Sequence, residues 1–219
     1  CVKQSGLENA YVEMIQTRGM SPTLDRDPRK SNPRFIAFAV PFGWILKPED
    51  VEIGLDAAVT KINRIPPNSI DPTIKNYHWL DLVGGMFEAY DRGHQTGILI
   101  DEKKDILEGP GFNIFALNKN ILMTPKKGVL QGITRGAVID IAKKLHIPVK
   151  LKSISIEKLM SSSEIFATST AGGIMPITKI DGKKIGLGNF GETTRKLYKI
   201  YWEKHFDLDW SLSVEEILK

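Results

Sequence analysis

The chain has 219 residues, 42% hydrophobic and 26% charged, which is ordinary globular usage and excludes a disordered or fibrous protein. Its 30 basic against 26 acidic residues give a formal charge of +4, but the basic residues are scattered as isolated pairs such as Lys103-Lys104 and Lys183-Lys184, so no nucleic-acid face is expected. No apolar run nears the roughly 18 residues that cross a bilayer, and the lone cysteine, Cys1, excludes a disulfide framework or cysteine-rich zinc site; the expected compartment is the cytoplasm, with no membrane partner.

Asn9 to Thr17 alternates in the strand manner, with Tyr11, Glu13 and Ile15 on one face and Val12, Met14 and Gln16 on the other. The charged, proline-containing stretch from Ser21 to Pro33 reads as a mobile loop. Arg34 to Phe42 reads as a second strand able to pair antiparallel with the first. Pro41, Gly43 and Pro48 mark a linker over 41–50. Beyond it, Val51 to Ile62 reads as a strand and Pro66-Pro67-Asn68 as a turn. Asn76 to Arg92 reads as a helix whose stripe Trp79, Leu82, Val83, Met86 and Tyr90 is expected to face the core, with Gly93 stopping it.

Short strands follow at Gly97–Asp101, Phe112–Leu117 and Ile121–Thr124. A helix starts near Thr134 and buries Val138, Ile141, Ala142 and Leu145, with Pro148 beyond its end. Glu164 to Thr168 and Ile174 to Ile180 read as strands around Ala171-Gly172-Gly173, and a last amphipathic helix spans Gly191 to Lys204. The pattern is mixed α and β, an α+β chain with more strand than a doubly wound sheet requires.

Four features could carry chemistry. Gly132-Ile133-Thr134-Arg135 sits where the chain enters a helix, and exposed N–H groups with a hydroxyl there suit a phosphate; a simple threonine N-cap fits the same residues. Ser169-Thr170-Ala171-Gly172-Gly173 is a hydroxyl-rich turn that lets a ligand approach the backbone, or only a tight turn. Glu108-Gly109-Pro110-Gly111 places a carboxylate beside a constrained turn, either functional or solvated. Lys75 precedes the helix, one lysine among many. The four histidines share no metal-ligand spacing, so no metal is expected. A lysine amine, a carboxylate and two turns that can cradle phosphate are together the inventory of a pyridoxal phosphate enzyme.

The stretches Ile65 to Asp81 (IPPNSIDPTIKNYHWLD), Met86 to Gly93 (MFEAYDRG), Glu108 to Phe115 (EGPGFNIF), Thr124 to Arg135 (TPKKGVLQGITR) and Glu164 to Thr178 (EIFATSTAGGIMPIT) run in order along nearly the whole chain. Jointly they resemble the fold-type IV (class IV) pyridoxal 5'-phosphate aminotransferases, with particular likeness to R-selective amine transaminases and branched-chain aminotransferase-like proteins. The resemblance implies a partial small α/β domain over 1–40, the linker over 41–50, and a large pseudo-barrel domain over 51–219 that binds the cofactor. It implies transfer of an amino group from an amino acid or amine to a keto acid by a ping-pong cycle, and a homodimer.

By the same resemblance, Lys75 matches the lysine that condenses with the cofactor aldehyde and shuttles the proton. Glu108, 33 residues later, matches the carboxylate that keeps the pyridine nitrogen protonated. Ile133 and Thr134 match the phosphate cup, which Thr170 closes from the opposite turn. Tyr11, Glu13, Trp79 and Ala171 fall at the substrate pocket, Trp79 being equally suited to core packing. Branched-chain aminotransferases carry Tyr-x-Arg where this chain has Tyr11-Val12-Glu13, and the glutamate resembles the amine-transaminase pattern. Arg26 is a candidate for an arginine that swings in to bind a keto-acid carboxylate, or only a loop charge beside Asp25 and Asp27. The rivals are an aminodeoxychorismate lyase-like enzyme, which would share Lys75 and Glu108, and a chain that binds cofactor with little activity.

The chain starts at Cys1, whereas the family carries a front portion with the first small-domain strands and an arginine to the phosphate. The expectation is a piece of a longer protein. Losing one charge-assisted phosphate bond costs about 1.5–3 kcal/mol, so the cofactor half-site is expected to persist with weak or no turnover.

Overall fold

A computed structural model describes residues 1–217; the last two positions of the domain expected over 51–219 lie outside the described residues. The chain divides into two units, one of residues 1–44 together with the segment from Leu212, the other Ile45–Ser211.

The first unit opens with a single helical turn, α1 (Val2–Ser5), and two long strands, β1 (Ala10–Met20) and β2 (Asn32–Pro41). They pair antiparallel from Ala10 opposite Pro41 to Met20 opposite Asn32. The alternation in the sequence sets the faces: Tyr11, Glu13 and Ile15 are half-buried while Val12, Met14 and Gln16 are exposed. The loop between the strands is ordered by local charge: Asp25 pairs with Lys30 at 2.5 Å and Asp27 with Arg29 at 2.7 Å.

The second unit is built on a nine-stranded mixed sheet. Its elements in order are β3 (Leu55–Asn63), α2 (Leu80–Asp91), β4 (Thr96–Ile100), β5 (Glu108–Gly109), β6 (Phe112–Asn118), β7 (Ile121–Thr124), α3 (Ile133–Lys144), β8 (Val149–Leu151), α4 (Ile156–Met160), β9 (Glu164–Ser169), β10 (Gly173–Ile180), β11 (Lys183–Lys184) and α5 (Glu192–Glu203). The main path runs β4-β3-β10-β9-β6-β7-β8, with β11 on β10 and β5 on β6. A short closing helix, α6 (Val214–Ile217), belongs to the first unit.

Both faces of the central strands are apolar, and the period-two alternation divides them between two cores. Ile114, Ala116, Ile165, Ala167, Met175 and Ile177 enter one core, while their neighbours Phe115, Leu117, Phe166 and Ile174 enter another with Val138, Ile141 and Ala142 of α3 and Leu197 of α5. Phe115 and Phe166, opposite each other in the ladder, stack with centroids 4.9 Å apart. Glu164 anchors α5: its carboxylate accepts from the Thr193 and Thr194 N–H groups at 3.1 and 2.7 Å. No helix among the described residues is long and apolar enough to cross a membrane.

Three expectations need correction. The helix after the lysine begins at Leu80 rather than Asn76, because the Asn76 side chain accepts from the His78 N–H at 2.9 Å and fixes a turn instead. Its buried residues are Leu82, Gly85 and Ala89, so Tyr90 stands 50% exposed outside the core stripe. The strand expected from Val51 begins at Leu55, since Pro48–Asp50 forms a 3-10 turn.

Candidate active site

The hairpin of β5 and β6 pairs Glu108 with Asn113; Asn113 stands opposite Thr168 on β9. Residues directly opposite in a ladder project from the same face, so these three form a polar row on the side where α3 packs. Glu108 is only 5% exposed. Its Oε1 accepts from Arg64 Nε at 3.0 Å and lies 3.0 Å from Arg64 Nη2; its Oε2 accepts from the Leu130 N–H at 3.0 Å and Asn113 Nδ2 at 3.3 Å. Burial pushes the Glu108 carboxyl above the ordinary carboxylate range, against the pull of the Leu130 N–H and Arg64. The Thr168 hydroxyl is buried without a hydrogen-bond partner.

Arg64, just past the end of β3, also reaches Asp81 in the first turn of α2, with Nη1 2.6 Å from Oδ2. The Ile65 N–H donates to the same oxygen at 2.9 Å. These bonds close the base of the connection that carries Lys75, which is itself exposed. Burial opposes ionisation of Asp81, but the Ile65 N–H, Arg64 and the Leu82 N–H hold its carboxyl below the ordinary range. Burial likewise works against the Arg64 charge, and the two carboxylates outweigh it and raise its pKa. Trp79 gives a second point of attachment. Its Nε1 donates to the Asn76 carbonyl at 3.1 Å, and its ring lies over the Glu108 turn, where a Cβ on Gly111 (φ +85°) would stand 3.6 Å from Cη2.

The start of α3 meets the same hairpin. Gly132 is the N-cap and no side chain caps the helix, so the simple threonine N-cap does not apply. Thr134, the second helical residue, is buried and its Oγ1 lies 3.5 Å from Tyr201 Oη, while Ile133 is 87% exposed. Gly132 permits close approach: a Cβ there would fall 2.3 Å from Asn113 Oδ1. Arg135, buried, anchors the helix through Thr124 Oγ1, Gln131 Oε1 and the Pro125 carbonyl. The opposite turn exposes Thr170 and half-buries Ala171, whose N–H donates to Ser169 Oγ at 3.1 Å. Tyr201 packs against this turn as well, since a Cβ on Gly173 would lie 2.8 Å from its Cε1.

Glu108, the base of the Lys75 loop, Trp79 and Gly132 at the start of α3 thus meet around one hairpin; Ile133, next in α3, is exposed, and Thr134 shares Tyr201 with the turn of Thr170 and Ala171. Tyr11, Glu13 and Arg26 lie in the N-terminal unit. Tyr11 packs edge-on against Phe42 at 6.3 Å, and burial with the Glu13 charge pushes its phenol up. Sequence reasoning missed Arg64, Asp81, Asn113, Thr168 and Tyr201. Asp81, Asn113 and Thr168 lie inside the family-like motifs, but their roles depend on contacts across the chain: Asp81 on Arg64, the other two on cross-strand register.

The residues present fit pyridoxal phosphate. A buried carboxylate suits a ring nitrogen, an uncapped helix start flanked by hydroxyls suits a phosphate, and the unpartnered Thr168 hydroxyl on the same face offers a further polar contact.

The sequence model of the family described as amino-transferase class IV matches residues 1–180. A putative branched-chain-amino-acid aminotransferase of Methanocaldococcus jannaschii is 32% identical over 216 residues, covering 97% of this chain and 73% of that protein. The branched-chain-amino-acid aminotransferase of Escherichia coli K12 is 34% identical over 206 residues, 92% of this chain and 66% of that protein. Among solved structures, the branched-chain aminotransferase of the thermophilic archaeon Thermoproteus uzoniensis with norvaline superposes with a TM-score of 0.86 at 32% identity, covering 95% of this chain and 71% of that one.

The raised Glu108 carboxyl makes a pH prediction. The folded state binds this proton more tightly than the unfolded state, so the group favours folding below the ordinary carboxylate range and loses that contribution as pH rises through its raised value. Glu108→Gln removes the dependence. In thermal unfolding of the cofactor-free protein, parent Tm minus variant Tm is expected to fall as pH goes from about 4 to about 8. A flat or rising difference would contradict the assignment.

Proposed function

The chain belongs to the class IV aminotransferases, pyridoxal phosphate enzymes, and from that premise we propose that Lys75, Glu108, Ile133, Thr134 and Thr170 are its cofactor-holding residues. The observation that carries this assignment is the convergence on Glu108 of Arg64, Asn113 and the Leu130 N–H, beside the uncapped start of α3. Bound there, pyridoxal phosphate supplies an aldehyde for amine exchange and an electron-withdrawing ring that acidifies the Cα–H of an attached amino donor.

The protein's own residues do the rest. Glu108 holds the proton on the ring nitrogen, and its burial favours sharing that proton. The Ile133 and Thr134 N–H groups and the Thr134 and Thr170 hydroxyls receive the phosphate. Lys75 Nζ takes the Cα proton of the amino donor and returns a proton in the acceptor half of the ping-pong cycle. Trp79 and Ala171 border the substrate.

Substrates are an amino donor and a keto acid. The relatives are named for branched-chain amino acids, which are the first donors to test; Glu13, where branched-chain enzymes carry arginine, supports amine donors as a second reading. Lyase chemistry is not favoured, since the relatives and the solved neighbour are named aminotransferases. Arg26 is proposed to bind the keto-acid carboxylate: its neighbours Asp25 and Asp27 are taken by Lys30 and Arg29. A homodimer in the cytoplasm completes the proposal. The exposed Leu80, Phe87 and Tyr90 on α2 support a second copy, and a monomeric mass in light scattering at micromolar concentration would contradict it.

Lys75→Ala is expected to abolish the borohydride-fixed adduct of pyridoxal phosphate, read by peptide mass spectrometry, and to reduce turnover by at least about a thousandfold. An adduct retained at another lysine with turnover intact would overturn the assignment. Arg26→Gln is expected to raise the keto-acid KM about tenfold with little change in kcat; an unchanged KM would remove Arg26 from the site.

A further inference from the structure

We propose that Asp81 is a positioning residue that acts through Arg64 to couple the Lys75 loop to Glu108; the inference rests on the reading of Glu108 and Lys75 given above. Arg64 presents one fork to two carboxylates. Its Nη1 lies 2.6 Å from Asp81 Oδ2, and its Nε and Nη2 each lie 3.0 Å from Glu108 Oε1. Both acid side chains are 6% exposed and the Arg64 side chain 13%. A planar fork can serve two acceptors in fixed directions, which a lysine ammonium cannot do.

Asp81 is also tied to both ends of the loop. One oxygen accepts from the Ile65 N–H at 2.9 Å, the other from the Leu82 N–H at 2.9 Å. A single carboxylate therefore joins the start of the connection, the start of α2 and the guanidinium that orients Glu108. Its charge has a second effect. By drawing on Arg64, Asp81 keeps that cation from being neutralised by Glu108 alone, and Glu108 remains a better proton acceptor. The charged groups facing Glu108 are Arg64 from the end of β3, Asp81 from α2 and Arg135 from α3. Removing the Asp81 charge leaves two cations against one acid, which lowers the proton affinity of Glu108 and of a cationic group held beside it.

The test is a double-mutant cycle of Asp81→Asn and Arg64→Gln. Two midpoints are read for each protein: the pH midpoint of the Glu108-linked change in Tm without cofactor, and that of the visible absorbance of bound pyridoxal phosphate. Asp81→Asn is expected to lower both by about half a pH unit or more and to have a clearly smaller effect in the Arg64→Gln background, where only the direct field of Asp81 on Glu108 remains, while Asp81→Glu restores the parent values. Unchanged midpoints for Asp81→Asn, or shifts that persist undiminished without Arg64, overturn the proposal. If the parent binds no pyridoxal phosphate, the functional reading fails, yet the cofactor-free midpoint still decides the action of Asp81 on Glu108. Should Asp81→Asn not fold, Asp81→Ser removes the same charge and gives the same reading.

Discussion

One guanidinium, that of Arg64, is shared by two buried carboxylates, and the arrangement of the site depends on it. Glu108 is too buried to keep its charge without close donors, and Arg64, Asn113 and the Leu130 N–H supply them. Breaking a buried pair leaves an uncompensated charge at a cost of about 3–5 kcal/mol, so the fork constrains the fold as well as the chemistry. The connection carrying Lys75 is held at its base through Asp81 for the same reason. That clasp ties both ends of the segment between Ile65 and Leu82 to one carboxylate.

The sheet makes this arrangement possible. Its central strands are apolar on both faces, and the two cores they fill fix the register from β6 to β10. Register puts Glu108, Asn113 and Thr168 side by side, because a one-residue slip would turn every one of them to the opposite core. Helix α3 packs on the same face through Val138, Ile141 and Ala142, which brings its uncapped N-terminus to Asn113. The stacked pair Phe115 and Phe166, two residues further along the strands, therefore helps determine where the Glu108 carboxylate stands.

Much of this was legible in the sequence. Alternation located most of the long strands to within a few residues, and helical periodicity found α3 and α5. Glu108, Thr134 and Thr170 stand out by their place at turns and a helix start, whereas Lys75, one lysine among many, is singled out by the resemblance. What the sequence could not show was contact across the chain. Arg64 is one of many basic residues until β3 and α2 bring it between Glu108 and Asp81. Thr168 reads as a strand residue until register sets it beside Asn113. Tyr201 belongs to an amphipathic helix, and only packing places it against both Thr134 and Gly173. The apolar stripe alone points to a helix from Asn76, but the Asn76 turn delays its start to Leu80.

The central claim is that Glu108 keeps a proton on the nitrogen of the cofactor ring. Nitrogen-15 NMR of the protein bearing pyridoxal phosphate labelled at the ring nitrogen reads that proton directly. The account predicts the chemical shift of a protonated pyridine near neutral pH, replaced by that of an unprotonated ring in Glu108→Gln. An unprotonated ring in the parent, or a protonated one in both proteins, would contradict it.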